Sequence, residues 1–250
     1  MEQAEASERR GMVWFQVWQT KRRVRMLKAI DICKSYHRRT ILKGVSFEAE
    51  PGSCIGIAGS NGCGKTTLLS ILAGAQKADK GRLEADGVEL FSRRKEIYDR
   101  IAYVPQENPL IPELTVKDNL SLWYKGNRNR MRQDLEQGPA AMLGIKPMEK
   151  MTVSHLSGGM KKRLSLACAL SGHAPYLIMD EPGAALDLEC KETIRQYVKG
   201  YLAQGGTVIL TSHEPEELSL CSRIYVLKDG ILHKALPGQT VSSLIALFHS

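Results

Sequence analysis

The chain reads as an α/β fold, and three observations lead there. Cys54-Ile55-Gly56-Ile57-Ala58 is an apolar run of strand length. It feeds Gly59-Ser60-Asn61-Gly62-Cys63-Gly64-Lys65-Thr66 and then Thr67 to Ala73, a helical segment with Gly74 as its stop. Apolar runs of strand length then recur between stretches of helical character, the alternation expected of a mostly parallel sheet.

The glycine segment fits G-x-x-x-x-G-K-[ST], the loop that cradles nucleotide phosphates. With glycine at about 7% of residues, such a match arises by chance in roughly one chain in a hundred of this length, so the flanking strand and helix carry the reading. A glycine turn opening a helix aims backbone N–H groups at an anion, aided by the positive end of the helix. Lys65 adds a mobile charge for the β- and γ-phosphates, and Thr66 a hydroxyl for Mg²⁺. Gly59, Ser60, Asn61, Gly62, Cys63, Gly64 and Thr67 complete the expected nucleotide contact. A Gly-rich turn between core elements is the plain alternative, and its setting counts against it.

Met26 to Ile30 looks like a natural start feeding a first strand, and the strands expected in order are Ile41 to Glu48, Cys54 to Ala58, Ile101 to Val104, Tyr176 to Met179, Val208 to Thr211 and Ile224 to Leu227. Asp229-Gly230, between Tyr225-Val226-Leu227 and Ile231-Leu232, signals a tight hairpin. From about 107 to 172 the character turns helical. Thr115 with Asp118 opens one helix, on which Val116, Leu120, Trp123 and Tyr124 share a face. Gly138-Pro139 interrupts, and a second helix restarts over Pro139 to Leu143. Ser157 caps a third, with Met160, Leu164, Ala167 and Cys168 on its buried side. The expected layout is an extension over 1–25, an ATPase domain over 26–240 with a helical lobe inserted at 107–172, and a tail over 241–250.

Composition excludes little but orders the partners. A chain of 250 residues with 43% hydrophobic and 25% charged content can bury a full core. The longest apolar runs, such as Val241 to Phe248, fall short of the ~20 residues a bilayer span needs. A net charge of +8 favours anionic partners: nucleotide, nucleic acid or a membrane surface. The basic residues are scattered in short groups such as Lys21-Arg22-Arg23 and Lys161-Lys162-Arg163, without interleaved aromatics, so no nucleic acid is expected. Six cysteines form no C-x-x-C pair and no metal spacing, which fits packing as small apolar residues in a reducing cytoplasm. Cys63, inside the phosphate loop, is a bystander whose modification blocks nucleotide. Residues 1–25 carry a small cluster, Trp14, Phe15, Val17 and Trp18, without a secretory pattern. They are expected to be a loose tail or the product of an upstream start, with a partner-binding or membrane-surface segment as the alternative.

Tyr176-Leu177-Ile178-Met179 is a buried-looking strand with Asp180-Glu181 at its tip. An acid there can hold Mg²⁺ directly or through water; a helix cap is the plain alternative. Between this strand and the phosphate loop lies Leu156-Ser157-Gly158-Gly159-Met160. With that segment in place, residues 27–235 resemble the ATP-binding cassette (ABC) family, whose motifs occur here in the family's order.

The resemblance implies a P-loop NTPase core with an N-terminal antiparallel β subdomain and an inserted helical subdomain. It makes Glu181 the general base that polarises water, His213 the switch histidine at the γ-phosphate, and Gln106 the residue that touches Mg²⁺ or that water. Tyr36, expected in a loop, is the position that stacks on adenine, and such stacking is worth about 1–3 kcal/mol. It also implies that two cassettes pair head to tail, as a homodimer or heterodimer. Ser157, Gly158 and Gly159 of one then face the ATP held by the other, with Asp187 in the crossing loop. Three features depart from the family's pattern. Met160 stands where many members carry Gln, a variant like that of export-type cassettes. Gly183 replaces the usual Thr and is expected to loosen its loop. The 1–25 extension has no counterpart.

The expected function is Mg²⁺-dependent ATP hydrolysis driving a membrane transporter, more an exporter than an importer. The chain would sit on the cytoplasmic face of the cell membrane beside a separate transmembrane permease. Two rivals remain open at this stage: a soluble cassette ATPase acting on nucleic acid or the ribosome, and a cassette that binds ATP without hydrolysing it.

Overall fold

The computed structural model describes residues 26–235. The expected extension over 1–25 and tail over 241–250 lie outside the described residues.

β1 (Leu27–Tyr36) and β2 (Arg39–Ala49) form an antiparallel hairpin. After β3 (Cys54–Ala58), α1 (Lys65–Leu72) crosses to β4 (Lys80–Ala85) and β5 (Val88–Glu89), which complete a four-stranded sheet in the order β2-β1-β4-β5. Gly74, at φ +71°, ends α1 by donating to the Ile71 carbonyl, as its place in the sequence predicts. α2 (Arg94–Arg100) leads into β6 (Ile101–Val104).

The helical stretch follows: α3 (Val116–Trp123), α4 (Arg128–Gln137), α5 (Pro139–Met142) and α6 (Gly158–Leu170). The chain then returns through β7 (Tyr176–Asp180), α7 (Leu188–Ala203), β8 (Thr207–Thr211), α8 (Pro215–Leu218), β9 (Arg223–Lys228) and β10 (Ile231–Lys234). The second sheet has the order β10-β9-β3-β8-β7-β6, parallel except for the terminal β9–β10 hairpin. Asp229 and Gly230 both have positive φ, as a two-residue hairpin loop of this hand requires.

Alternation along the central strands builds two cores. In β3, Cys54 and Ala58 join one cluster while Ile55 and Ile57 join the other. β7 splits the same way, Leu177 and Met179 against Tyr176 and Ile178. The first cluster packs under α6, α7 and the helical stretch; the second holds α1 and the four-stranded sheet. Both faces of β3, β7 and β8 are therefore covered, and all five residues of each are buried.

Several expectations need correcting. Tyr36 closes β1, so it is a strand end and not a loop residue. Val116, Leu120 and Tyr124 are buried, but Trp123, at the last position of α3, is 43% exposed. The β4–β5 hairpin, α2 and α7 are additional to the elements named from the sequence. The six cysteines are free, yet Cys54 and Cys221 meet with sulfurs 3.4 Å apart, a pairing of 167-residue separation that no local spacing reveals.

Candidate functional site

Parallel strands put their carboxyl ends on one edge of the sheet, where doubly wound folds bind ligands. Here that edge gathers Gly59 after β3, Asp180 at the end of β7, Thr211 at the end of β8 with His213 just beyond it, and Gln106 after β6.

Lys65, the first residue of α1, is only 6% exposed. Its Nζ donates to the carbonyls of Gly59 at 2.8 Å and Ser60 at 3.3 Å, and lies 3.2 Å from His213 Nε2. The ammonium is thus curled into its own loop. Gly64 packs edge-on against β2: a Cβ there would stand 2.7 Å from the Ile41 side chain. At Gly59 a Cβ would meet Cys63 Sγ and the Leu227 carbonyl, each at 2.7 Å, so only glycine lets the loop close onto β9. Burial pushes the Cys63 thiol up, opposed by Lys65, which suppresses the thiolate.

Glu181 is the hub. Its Oε1 lies 3.2 Å from His213 Nε2 and 3.9 Å from Lys65 Nζ, and its Oε2 accepts from Gln106 Nε2 at 3.4 Å. The four residues expected to act on the γ-phosphate and its water are brought together around one carboxylate. Glu181 sits at φ +47°, outside the usual range for a side-chain-bearing residue. Its N–H is bound by both the Thr211 carbonyl, at 3.2 Å, and Thr211 Oγ1, at 3.0 Å. The same Thr211 hydroxyl donates to Asp180 Oδ1 at 2.6 Å. Asp180 is 1% exposed, and its Oδ2 is buried with no hydrogen-bond partner among the described residues. A buried carboxylate oxygen left open is costly unless a cation takes it, so this position fits Mg²⁺. Thr66 and Thr67, on the first turn of α1, are exposed and half-buried.

The other expected residues stand apart from this hub. Tyr36 is 42% exposed; its hydroxyl is hydrogen-bonded by Gln76, and Lys34 Nζ sits 5.6 Å from its ring centroid. Ser157 caps α6, accepting from the Met160 N–H at 3.2 Å. Gly158 is open to solvent, whereas a Cβ on Gly159 would lie 3.2 Å from Cys190 and 3.4 Å from Asp187 Oδ2. Asp187 itself caps α7 through the Cys190 N–H at 2.8 Å. Thus 157–159 and Asp187 form a second group, joined to the phosphate loop by no hydrogen bond among the described residues.

Two residues of the site carry no motif. Thr211 orients both acids, as described. Lys162 is 4% exposed and donates to the carbonyls of Pro105 at 2.8 Å and Gln106 at 3.2 Å. It pins the glutamine segment to the helix that Ser157 opens. Burial pulls its pKa down, with Asp180 and Glu217 pulling it up. The one signal for it in the sequence is a lysine on the apolar side of α6.

Comparison with known proteins agrees with this geometry. Residues 42–184 match the family described as ABC transporter. The Nod factor export ATP-binding protein I of Paraburkholderia xenovorans is 37% identical over 200 residues, covering 79% of this chain and 66% of the relative. The linearmycin resistance ATP-binding protein LnrL of Bacillus subtilis is 35% identical over 213 residues, 82% of this chain and 67% of the relative. The matched region thus spans about two thirds of the length of these relatives. Among solved structures, a dimeric ATP-binding cassette in a post-hydrolysis state with ADP and Pi superposes with a TM-score of 0.76 at 28% identity, over 84% of this chain and 97% of that one. An ATP-binding subunit of an ABC transporter superposes at 0.81 with 21% identity, over 90% and 100%, which speaks to the fold alone. Glycine loop, acid pair and His213 stand on one sheet edge in a chain whose relatives are ATP-binding subunits, and the chain belongs to the ABC transporter family as an ATP-hydrolysing cassette.

Proposed function

We propose that this cassette powers export through a separate transmembrane permease, working as one of a pair of cassettes on the inner face of the membrane. The relatives named for Nod factor export and linearmycin resistance support the direction, and the dimeric cassette structures support the pairing. No helix among the described residues is long and apolar enough to cross a membrane, which agrees with a permease on another chain. The nucleic-acid reading gains no support from these relatives.

The observation that carries the mechanism is the convergence of Lys65, Gln106 and His213 on Glu181. When ATP enters, Lys65 leaves the carbonyls of Gly59 and Ser60 for the β- and γ-phosphates. The N–H groups over Gly62 to Thr67 take the remaining phosphate oxygens, and the ring of Tyr36 stacks on adenine. Glu181 accepts a proton from the attacking water, Gln106 orients that water, and His213 bridges Glu181 and the γ-phosphate. Asp180 and Thr66 would hold Mg²⁺, which would supply charge neutralisation for the phosphates. Ser157, Gly158 and Gly159 serve the nucleotide of the second cassette, and Asp187 lies in the crossing loop. The segment after Gln106, pinned by Lys162, passes the state of the nucleotide to the helical lobe over 107–172.

Glu181→Gln tests this directly. Removing a general base costs about 10²–10⁴-fold in rate, so phosphate release should collapse while ATP binding persists. Unchanged turnover would reject Glu181 as the base. Co-purification with a hydrophobic membrane partner supports the transporter reading; hydrolysis stimulated by RNA or DNA overturns it.

A further inference from the structure

Gly183 follows Glu181-Pro182 in the loop that runs from the acid pair to Asp187. Its φ is not positive, so its backbone demands no glycine. The space beside it is occupied by a side-chain carboxyl. A Cβ on Gly183 would stand 2.2 Å from Glu217 Oε1 and 3.2 Å from Glu217 Cδ, and the first of these is a distance no such pair of atoms adopts. A carboxyl from α8 fills the place of the absent side chain.

Glu217 is only 5% exposed, although it is ionisable and 34 positions away along the chain (217 − 183). Its carboxyl is hydrogen-bonded to Ser212, the residue before the switch histidine. The Ser212 hydroxyl in turn accepts from the Glu214 N–H at 2.9 Å. Glu214 pairs with Lys191 of α7 at 2.6 Å, and lies 3.5 Å from the position a Gly183 Cβ would take. On one side, then, Glu217 touches the loop that carries Glu181 and Asp187; on the other it holds the turn that carries His213. Nothing in the hydrolysis mechanism above uses it.

We propose that Glu217 is a positioning residue that braces the Glu181 loop against the His213 loop, with Gly183 kept bare to seat its carboxyl. The proposal rests on the reading of Glu181 and His213 as the residues that act on water and γ-phosphate. Glu217 reaches neither ATP nor water; it sets the separation of the two groups that do. Such control acts on the chemical step and leaves nucleotide affinity alone.

The test is a double-mutant cycle in the full chain, read as kcat and KM for ATP, with melting temperature and nucleotide affinity as folding controls. Glu217→Ala should lower kcat by about tenfold with KM changed less than about twofold, because small misplacement of reacting groups costs rate steeply. Glu217→Gln, which keeps the shape and an acceptor for Ser212, should restore most of that loss. Gly183→Ala should lower kcat in the parent chain and have little further effect in the Glu217→Ala background, since the two side chains share one space. If Glu217→Ala does not fold, Glu217→Asp, which withdraws the carboxyl by one methylene, replaces it in the cycle. The proposal fails if kcat survives Glu217→Ala, if Glu217→Gln is as damaged as Glu217→Ala, or if the two positions act additively. Failure of the underlying reading looks different: Glu181→Gln then hydrolyses ATP like the parent.

Discussion

At the scale of single residues, the site is a set of groups held in costly states by their neighbours. Glu181 keeps a positive φ because Thr211 binds its N–H twice. Lys162 keeps a buried ammonium because the carbonyls of Pro105 and Gln106 receive it. Replacing Lys162 by Met fills the space but leaves both carbonyls without their donor. Hydrogen bonds to charged groups contribute about 1.5–3 kcal/mol, and chemical denaturation should register a loss of that order, with kcat falling as Gln106 loses its anchor. Glu217 gives a pH signature. Burial and then Glu214 raise its pKa above the ordinary 4.5, while Ser212, Lys191 and Arg195 pull it down; Lys162 and Cys221 also face it. A raised folded-state pKa means stability that is fully present below 4.5 and lost as pH rises through the higher value. Glu217→Gln does not ionise, so its melting temperature should gain on the parent as pH climbs from 4.5, then level off. A constant difference across that range would remove the assigned ionisation. The motif residues were readable because their spacing is local. Thr211, Lys162 and Glu217 were not, because each acts on a partner from another element.

At the scale of elements, the central strands were legible because both of their faces are covered, leaving β3, β7 and β8 as short apolar runs. The β4–β5 hairpin escaped for the opposite reason. Lys80–Ala85 buries only Leu83 and Ala85 and presents charge elsewhere, so it lacks a strand's usual composition. Its turn, Asp86-Gly87, has both φ values positive and repeats the chemistry of Asp229-Gly230; the signal was present on both hairpins. α7 was equally open to reading, with Cys190, Ile194, Tyr197, Val198 and Tyr201 buried at helical spacing. Helix starts translated well. Thr115 and Ser157, read as caps, each accept from the N–H three residues on; Asp187, read only as a crossing-loop residue, caps α7 in the same way. In α3 the cap fixes where the helical stretch leaves the Gln106 segment, and Asn119 ties the same turn to Ile111 through both N–H and C=O. Thr115→Ala should therefore cost about 1 kcal/mol, the usual value of a lost cap, measured as a lower denaturation midpoint with an unchanged slope. A changed slope would mean that the lobe had come loose from the core.

At the scale of the whole molecule, the chain carries two glycine-bearing helix tips that no hydrogen bond among the described residues joins. One opens α1 behind the glycine loop; the other opens α6 behind Ser157. Lys65, Glu181 and His213 gather at the first, while Asp187 and Cys190 border the second. In the proposed pairing, a second copy turned head to tail brings each tip to the other's nucleotide. Gly158 offers a clean way to test this. A Cβ there meets nothing within 4 Å, and its φ is not positive, so a side chain can be added without disturbing the fold. On that pairing Gly158→Glu places a carboxylate where the partner's γ-phosphate arrives, and like charges in a desolvated contact repel strongly. The single chain should bind ATP with its ordinary affinity, because its own phosphate loop is untouched. Dimerisation driven by ATP should vanish, most visibly in the Glu181→Gln background where bound ATP is not consumed, and turnover should vanish with it. A Gly158→Glu chain that still dimerises and hydrolyses at the parental rate would show that α6 does not face a nucleotide at all.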